Sequence, residues 1–221
     1  MRVYHYLEAK WALDDIRRRR LKISEIADLN DPYEVKSVHS HDPASQLALE
    51  NTRRQTCERY GVLCYSRNWN NILMWSHYGD KHKGICLGFD VLDELTRPVE
   101  YVEEVESAGN LTVEETSDGW PEEGERLVDR LMGAKYKGWS YEQEIRVHVR
   151  QIEIDEETGK YFVDFTERLI LREVIAGARF PMSKRPIEDA LKGYLEDVQI
   201  ARATCSTERF EVIIDPNGFG S

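Results

Sequence analysis

Residues 62–89 of the 221-residue chain read VLCYSRNWNNILMWSHYGDKHKGICLGF. The first five and the last five of these residues are short apolar runs, which is the pattern of buried strands. Between the two runs, Asn71 can cap a short helix over residues 72–78, and Gly79 would end it. The stretch therefore predicts a strand, a short helix and a second strand.

Other predicted strands lie on both sides of this stretch. The predicted strands are residues 3–7, 21–24, 62–66, 85–89, 99–105, 139–150, 161–165, 171–176, 198–203 and 210–214, and the predicted helices are residues 8–20, 43–59, 72–78, 122–136 and 183–195. Because the strands follow one another without a regular βαβ alternation, the sequence predicts a single α+β domain with a mainly antiparallel or mixed sheet. The acidic residues 103–125 predict a surface loop, either a lid over a site or an insertion without function.

The composition limits the class of protein. Hydrophobic residues make up 41% of the chain and aromatic residues 10%, which is enough for one core and too much for a disordered chain. The net charge of -11 argues against a general nucleic-acid surface or an anionic-membrane surface. No apolar run reaches the roughly 18 residues of a membrane span, and the first residues carry no targeting pattern. We expect a cytoplasmic protein with free thiols.

Charged side chains concentrate in residues 139–148. If these residues are extended, Glu142, Glu144, Arg146 and His148 project from one face of a strand. Crowding of two carboxylates can raise the pKa of one of them while Arg146 lowers the pKa of the other, and acid and base catalysis requires such a difference. A solvated strand face with cross-strand ion pairs explains the same residues, so both interpretations stay open.

The segment between the two strands of the opening stretch is rich in aromatic and polar residues. Its two Trp, two Ser and two His residues suit a pocket for a planar ligand. His77, Asp80 and His82 cross the predicted end of the helix, so no helical face presents all three as metal ligands, and we expect no metal. No Gly-x-Ser-x-Gly turn is present that would indicate a serine hydrolase.

Several motifs resemble a bacterial and phage family known as domain of unknown function 2971. They are Tyr-His-Tyr at residues 4–6, Asn-Asp-Pro-Tyr-Glu at 30–34, Met-Trp-Ser-His-Tyr at 74–78 with Gly-Ile-Cys-Leu-Gly-Phe-Asp at 84–90, and Lys-Tyr-Lys-Gly-Trp-Ser-Tyr-Glu-Gln-Glu-Ile-Arg at 135–146. The resemblance runs from residue 2 to about residue 214. It implies no function, because the function of that family is unknown.

The order of motifs is also similar to the ADP-ribosyltransferase architecture, with a His on the first strand, a Ser- and aromatic-rich middle and a late Glu-x-Glu. This resemblance implies a split β-sandwich that holds NAD in a cleft. It implies that Glu144 bonds a ribose hydroxyl, that Glu142 orients the acceptor and that His5 contacts the NAD ribose. The candidates for binding the nucleotide are Tyr4, Tyr6, Asn30, Asp31, Ser66, Trp75, His77, Tyr78, Lys135, Trp139 and Arg146.

The leading hypothesis is an NAD-using, ADP-ribosyltransferase-like enzyme, such as a toxin or a defence effector, that transfers ADP-ribose to a macromolecule. Its carboxylate would stabilise the positive charge that forms on the ribose as the C–N bond breaks. Arg2, the run at residues 17–20, Lys135 and Arg146 are the cations available for the pyrophosphate.

Two other hypotheses belong to different classes of protein. One is a module that binds a nucleotide or a partner without turnover, through Trp75, His77 and Trp139. The other is a metal-assisted hydrolase or nuclease that uses His77, Asp80, His82 and Glu142. The enzymatic hypothesis requires the first strand, residues 75–78 and residues 142–146 to converge on one cleft.

Overall fold

A computed structural model describes residues 1–107, 122–151, 153–194 and 197–220. The strands are β1 (Arg2–Leu7), β2 (Arg20–Lys22), β3 (Ser24–Glu25), β4 (Val38–His39), β5 (Tyr60–Ser66), β6 (Ile85–Val91), β7 (Arg97–Pro98), β8 (Glu100–Val102), β9 (Glu106–Ser107), β10 (Ala134–Tyr136), β11 (Glu144–Arg150), β12 (Phe162–Asp164), β13 (Leu169–Ala176), β14 (Gln199–Cys205) and β15 (Val212–Ile214). The helices are α1 (Ala9–Arg18), α2 (Pro43–Arg59), α3 (Ile72–His77), α4 (Glu122–Gly133) and α5 (Arg185–Ala190), with 3₁₀ helices at Ile26–Asp28, Asp93–Leu95 and Lys137–Glu142.

One nine-stranded sheet organises the described residues. Eight of its strands follow the order β15, β14, β13, β6, β1, β5, β11, β7, and β3 also pairs with β5. Neighbouring strands are antiparallel except for β13 and β14, which are parallel. Smaller two-stranded sheets join β10 with β8, β12 with β2, and β4 with β9. The predicted α+β class with a mainly antiparallel or mixed sheet is confirmed.

Helices cover both faces of this sheet because side chains alternate along its central strands. On one face, α1 and α5 pack through Ile16 and Ile187 against a core that includes Leu87 and Ile145. On the opposite face, α2 and α4 form a second cluster, and α3 packs in a third. Trp75 of α3 is fully buried in that third cluster. None of the described helices combines the length and apolar character needed to cross a membrane.

The sheet has a gap at its centre. Strands β1 and β5 share a single residue pair, Tyr4 with Ser66. Nearer the start of β5, strand β3 pairs with it instead, with Ser24 opposite Val62. Residues 63–65 lie between these two pairings. Because β1 and β5 separate here, the sheet has an opening from one face to the other. The site described below lies at this opening.

The predicted strand at residues 21–24 is divided into β2 and β3, and four other predicted elements differ more strongly from the structure. The strand predicted over residues 139–150 is wrong before Glu144, because residues 137–142 form a 3₁₀ helix. The helix predicted to end at Tyr136 ends at Gly133, since glycine favours helix ends, and the next three residues form β10. Among the described residues of 183–195, the predicted helix is confined to α5. The strand predicted over residues 99–105 is confined to β8.

The acidic surface loop predicted at residues 103–125 lies largely outside the described residues, which exclude 108–121. Of its described part, residues 106–107 form β9 and residues 122–125 begin α4.

Candidate functional site

A cavity of about 630 Å³ occupies the gap between β1 and β5. Cavities of this size accommodate a nucleotide-sized ligand. The predicted site residues that line it are Tyr4, His5, Tyr6, Asn30, Ser66, Tyr78, Lys135, Glu142 and Glu144. The first strand, Tyr78 and both glutamates therefore converge on one space.

A buried charged cluster forms one end of the cavity. Glu142, Glu144 and Lys135 are at most 6% exposed. The Lys135 ammonium group donates to Glu142 Oε2 at 2.6 Å and to Glu144 Oε2 at 3.1 Å. Both glutamates thus face the same cation, although Glu142 ends a 3₁₀ helix and Glu144 begins a strand.

Residue Gln143 produces this convergence through its backbone conformation. It has a left-handed conformation, with φ of 45° and ψ of 50°, which costs a non-glycine residue about 1–2 kcal/mol. Hydrogen bonds hold the turn, because Arg67 N–H donates to Gln143 O at 3.1 Å and the Ser66 hydroxyl donates to Glu142 O at 2.7 Å. The strained turn at Gln143 therefore places Glu142 and Glu144, and the alternation of side chains along a strand does not.

Arg146 stabilises Glu144 from the side away from the cavity. Its Nε donates to Glu144 Oε1 at 2.8 Å, and its Nη1 and Nη2 donate to the two carboxylate oxygens of Glu34 at 2.9 and 2.7 Å. Nη1 also donates to the Met132 carbonyl at 2.7 Å. Arg146 does not line the cavity, so it acts on a ligand only through Glu144 and Glu34.

The two cavity glutamates have opposite pKa shifts. Burial raises the pKa of Glu142 above its ordinary value, and Lys135 only partly offsets this effect. Burial also acts to raise the pKa of Glu144, but Arg146 and Lys135 outweigh it and the pKa falls. Glu144 is therefore a fixed anion near neutral pH, and Glu142 takes up a proton more readily than Glu144 does.

A tyrosine and an asparagine extend the network from Glu142. The Tyr78 hydroxyl donates to Glu142 Oε1, and Asn30 Nδ2 donates to the Tyr78 hydroxyl at 2.9 Å. Burial, followed by the bond to Glu142, raises the pKa of Tyr78, so the hydroxyl stays protonated. Each oxygen of Glu142 therefore has a defined donor in the described residues.

His5 lies where β1 and β5 separate. Its Nδ1 is 2.8 Å from the Cys64 carbonyl oxygen, so Nδ1–H donates and Nε2 is left as an acceptor. Burial lowers the pKa of His5, which keeps the imidazole neutral. The ring thus replaces a backbone hydrogen bond that the gap in the sheet removes.

The other cavity residues predicted from the motifs are held by hydrogen bonds of their own. The Tyr6 hydroxyl donates to the Asn68 carbonyl at 2.9 Å. The Ser66 hydroxyl accepts from Asn68 N–H at 3.2 Å in addition to its bond to Glu142 O. Tyr4 pairs with Ser66 in the sheet, and burial raises its pKa. Ser66 therefore shapes the wall and holds the turn at Gln143.

Trp75, His77, Trp139, Arg146 and Asp31 do not line this cavity. Trp75 is fully buried and its Nε1 donates to the Trp69 carbonyl at 2.7 Å, whereas His77 is exposed. The Trp139 ring lies 5.0 Å from the Lys135 ammonium group, behind the charged cluster. Asp31 lines a second, smaller cavity of about 320 Å³.

The residues of the metal hypothesis do not gather into a metal site. His82 stacks on Trp75, His77 lies 2.9 Å from the Tyr141 hydroxyl, and Glu142 bonds Lys135. Within the described ranges, no group of three or more His, Cys, Asp or Glu residues is arranged to hold a metal ion.

The cations expected to serve a pyrophosphate have other partners. Arg2 pairs with Asp90 and Glu173, and Arg18 pairs with Asp14 and Glu157. Neither arginine lines the cavity, and Arg17, Arg19 and Arg20 do not line it either. The lysines that do so besides Lys135 are Lys22 and Lys160.

Sequence reasoning missed four cavity residues that matter for its chemistry, which are Trp11, Asp15, Lys22 and Glu34. Glu34 closes the Asn-Asp-Pro-Tyr-Glu motif, and that motif was the available clue. Asp15 lies among Ala12, Leu13 and Ile16 on the buried face of α1. An acidic residue on the apolar face of a helix was therefore a second clue.

Part of the chain matches a known protein family. Residues 74–147 match the model of a family described as a protein of unknown function (DUF2971). The match supports the DUF2971 resemblance within residues 74–147, and it does not test the rest of the expected range of residues 2–214. The segment contains most of α3, all of β6, Lys135 and both cavity glutamates, so it covers the charged end of the cavity. Neither the comparison with curated proteins nor that with solved structures gave a match, and the ADP-ribosyltransferase resemblance has no support from them.

Proposed function

We propose that the protein is an NAD-using, ADP-ribosyltransferase-like enzyme that cleaves the nicotinamide glycosidic bond and transfers ADP-ribose to a macromolecule. One observation carries the proposal: two buried glutamates with opposite pKa shifts face the same end of a nucleotide-sized cavity. Glycosidic bond cleavage commonly uses a pair of carboxylates in which one is ionised and the other exchanges a proton.

Glu144 is the proposed electrostatic group. When the bond between the ribose C1′ and the nicotinamide nitrogen breaks, its electron pair leaves with neutral nicotinamide, and positive charge develops on the ribose. A fixed anion at that point stabilises the transition state more than the ground state. Because Arg146 and Lys135 keep Glu144 ionised, the anion is in place before the substrate binds.

Glu142 is the proposed base for the acceptor. The acceptor oxygen or nitrogen forms a bond to C1′, and its proton passes to Glu142. A carboxylate whose pKa is raised by burial is a stronger base than an exposed one. Tyr78 and Lys135 each hold one of its oxygens, which orients the carboxylate.

Release of nicotinamide from NAD tests the proposal directly. Wild type, Glu144→Gln and Glu142→Gln are compared, with Glu208→Gln as the matched control, because Glu208 is exposed and does not line the cavity. We expect Glu144→Gln to reduce the rate by about 10²–10³-fold. We expect Glu142→Gln to reduce transfer to an acceptor more than it reduces hydrolysis, since its role is to take the acceptor proton.

Thermal melts of the same variants separate chemistry from folding. Removing one member of a buried charged cluster destabilises a fold, so the rates are measured well below each variant's Tm. Equal nicotinamide release by wild type and by a folded Glu144→Gln variant would contradict the proposal. Absence of release from the wild type would also contradict it.

Nucleotide binding without turnover is a second candidate function. The observation that favours it is that both oxygens of Glu144 already accept hydrogen bonds from Arg146 or Lys135. An anion neutralised in this way supplies less stabilisation to a developing cation. A nucleotide that raises the Tm and is recovered unchanged after long incubation would favour binding over catalysis.

A further inference from the structure

The cavity has a second end on the α1 face of the sheet. Asp15 of α1 lines it and is only 6% exposed. No residue in the described ranges donates a hydrogen bond to the Asp15 carboxylate, and no ion pair reaches it. Buried carboxylates in folded proteins are normally paired, so this one is left for a donor that the chain itself does not supply.

Arg20 acts on the charge of Asp15 from outside the cavity lining. The Arg20 side chain uses Nη1 to pair with Asp155 at 2.6 Å, while its buried Nε and Nη2 have no hydrogen-bond partner in the part of the chain that the structure describes. Its guanidinium group stacks 3.7 Å from the centre of the Phe162 ring, and Phe162 lines the cavity.

The remaining groups at this end suit a nucleotide base and its phosphates. Trp11 presents a ring that is 55% exposed, and Lys22 presents an exposed ammonium group that forms no ion pair with any described residue. An aromatic face stacks on a base, and an ammonium group binds phosphate oxygens. The α1 end of the cavity therefore combines a hydrogen-bond acceptor (Asp15), an aromatic face (Trp11) and a cation (Lys22).

We propose that the α1 end of the cavity binds the adenosine diphosphate part of the nucleotide. Asp15 accepts hydrogen bonds from ribose hydroxyl or adenine amino groups, Trp11 stacks on the base and Lys22 pairs with the diphosphate. This inference rests on the proposed function, and it assigns the two ends of NAD to the two faces of the sheet. The gap between β1 and β5 is what allows one ligand to reach both ends.

Calorimetric titration of the full chain with ADP, with NAD and with nicotinamide mononucleotide tests this assignment. We expect Asp15→Asn to weaken ADP and NAD binding at least tenfold, because a hydrogen bond to a charged group contributes that much. We expect Lys22→Met to weaken binding of the same two ligands, and we expect Asp15→Asn to change binding of nicotinamide mononucleotide by no more than twofold. Asp197→Asn is the matched control, since Asp197 is exposed and does not line the cavity.

The outcomes separate this inference from the proposed function. If ADP binds and Asp15→Asn weakens it while NAD is never cleaved, the proposed function fails and the subsite stands. If NAD is cleaved but ADP binding is the same in wild type, Asp15→Asn and Lys22→Met, the subsite is refuted and the function stands. Failure of the wild type to bind ADP at millimolar concentration refutes the subsite as well. Circular dichroism spectra of each variant confirm that it is folded.

Discussion

Asp15→Asn should make the protein more stable at alkaline pH. Burial, followed by the neighbouring Asp14, raises the pKa of Asp15 from its ordinary value of 3.8 to about 7, and Arg20 only partly offsets them. A carboxyl group whose pKa is higher in the folded chain than in the unfolded chain favours folding fully below pH 3.8. That contribution is lost as the pH rises through about 7.

The size of the effect follows from the same two values. At about 1.36 kcal/mol for each pH unit, the difference between 3.8 and about 7 corresponds to about 4 kcal/mol. This is an upper limit for the stabilisation of Asp15→Asn at pH 8, because asparagine is uncharged at every pH. For a domain of this length it corresponds to an increase in Tm of roughly 10 °C.

Urea unfolding at pH 4 and at pH 8, followed by tryptophan fluorescence, measures the effect. We expect the variant to unfold at a clearly higher urea midpoint than wild type at pH 8 and at nearly the same midpoint at pH 4. Asp197→Asn, on the surface, should leave both midpoints unchanged. A midpoint difference that does not depend on pH, or no stabilisation at pH 8, would refute the view that Asp15 is a buried carboxylate without a partner.

Three further predictions concern the site and its support. Arg146→Met should lower the free energy of unfolding by about 3–5 kcal/mol in urea unfolding, because it leaves Glu34 and Glu144 buried without the arginine that pairs with both. Arg150→Met, on the exposed end of β11, is the control and should have little effect. Gln143→Val should lower the Tm and Gln143→Gly should not, since only glycine adopts the left-handed conformation without cost; equal melting of the two variants would contradict this account. Gly177→Ala should also lower the Tm, because its Cβ would lie 2.2 Å from the His82 carbonyl oxygen.

Much of the fold could be predicted because local patterns determine it. The runs that form β5 and β6 and the capping residue Asn71 specify strand, helix and strand without reference to the rest of the chain. The backbone conformation of residues 137–143 could not be predicted from local sequence patterns. The alternation of Tyr141, Gln143 and Ile145 looks like a strand, and only the contacts of Ser66 and Arg67 with the turn select the 3₁₀ helix and the left-handed residue.

The part of the site that lies in the quoted motifs could be predicted from the sequence. Contacts between side chains that are distant in the chain could not. The convergence of Tyr4, His5 and the two glutamates was expected from their motifs, and the structure brings them together. The partner of Arg146 could not be predicted, because Glu34 is 112 residues away in the chain. The role proposed for Asp15 depends on the separation of two strands, which no local pattern encodes.

The opening between β1 and β5 also links parts of the chain that a continuous sheet would keep independent. Helix α1 and the loop carrying Asn30 and Glu34 lie on opposite sides of the sheet, yet both border the same cavity. A bulkier side chain in α1 therefore reduces the room left for atoms held by that loop. Substitutions on the two sides should consequently be compensatory, with a gain in volume on one side tolerated when the other side becomes smaller.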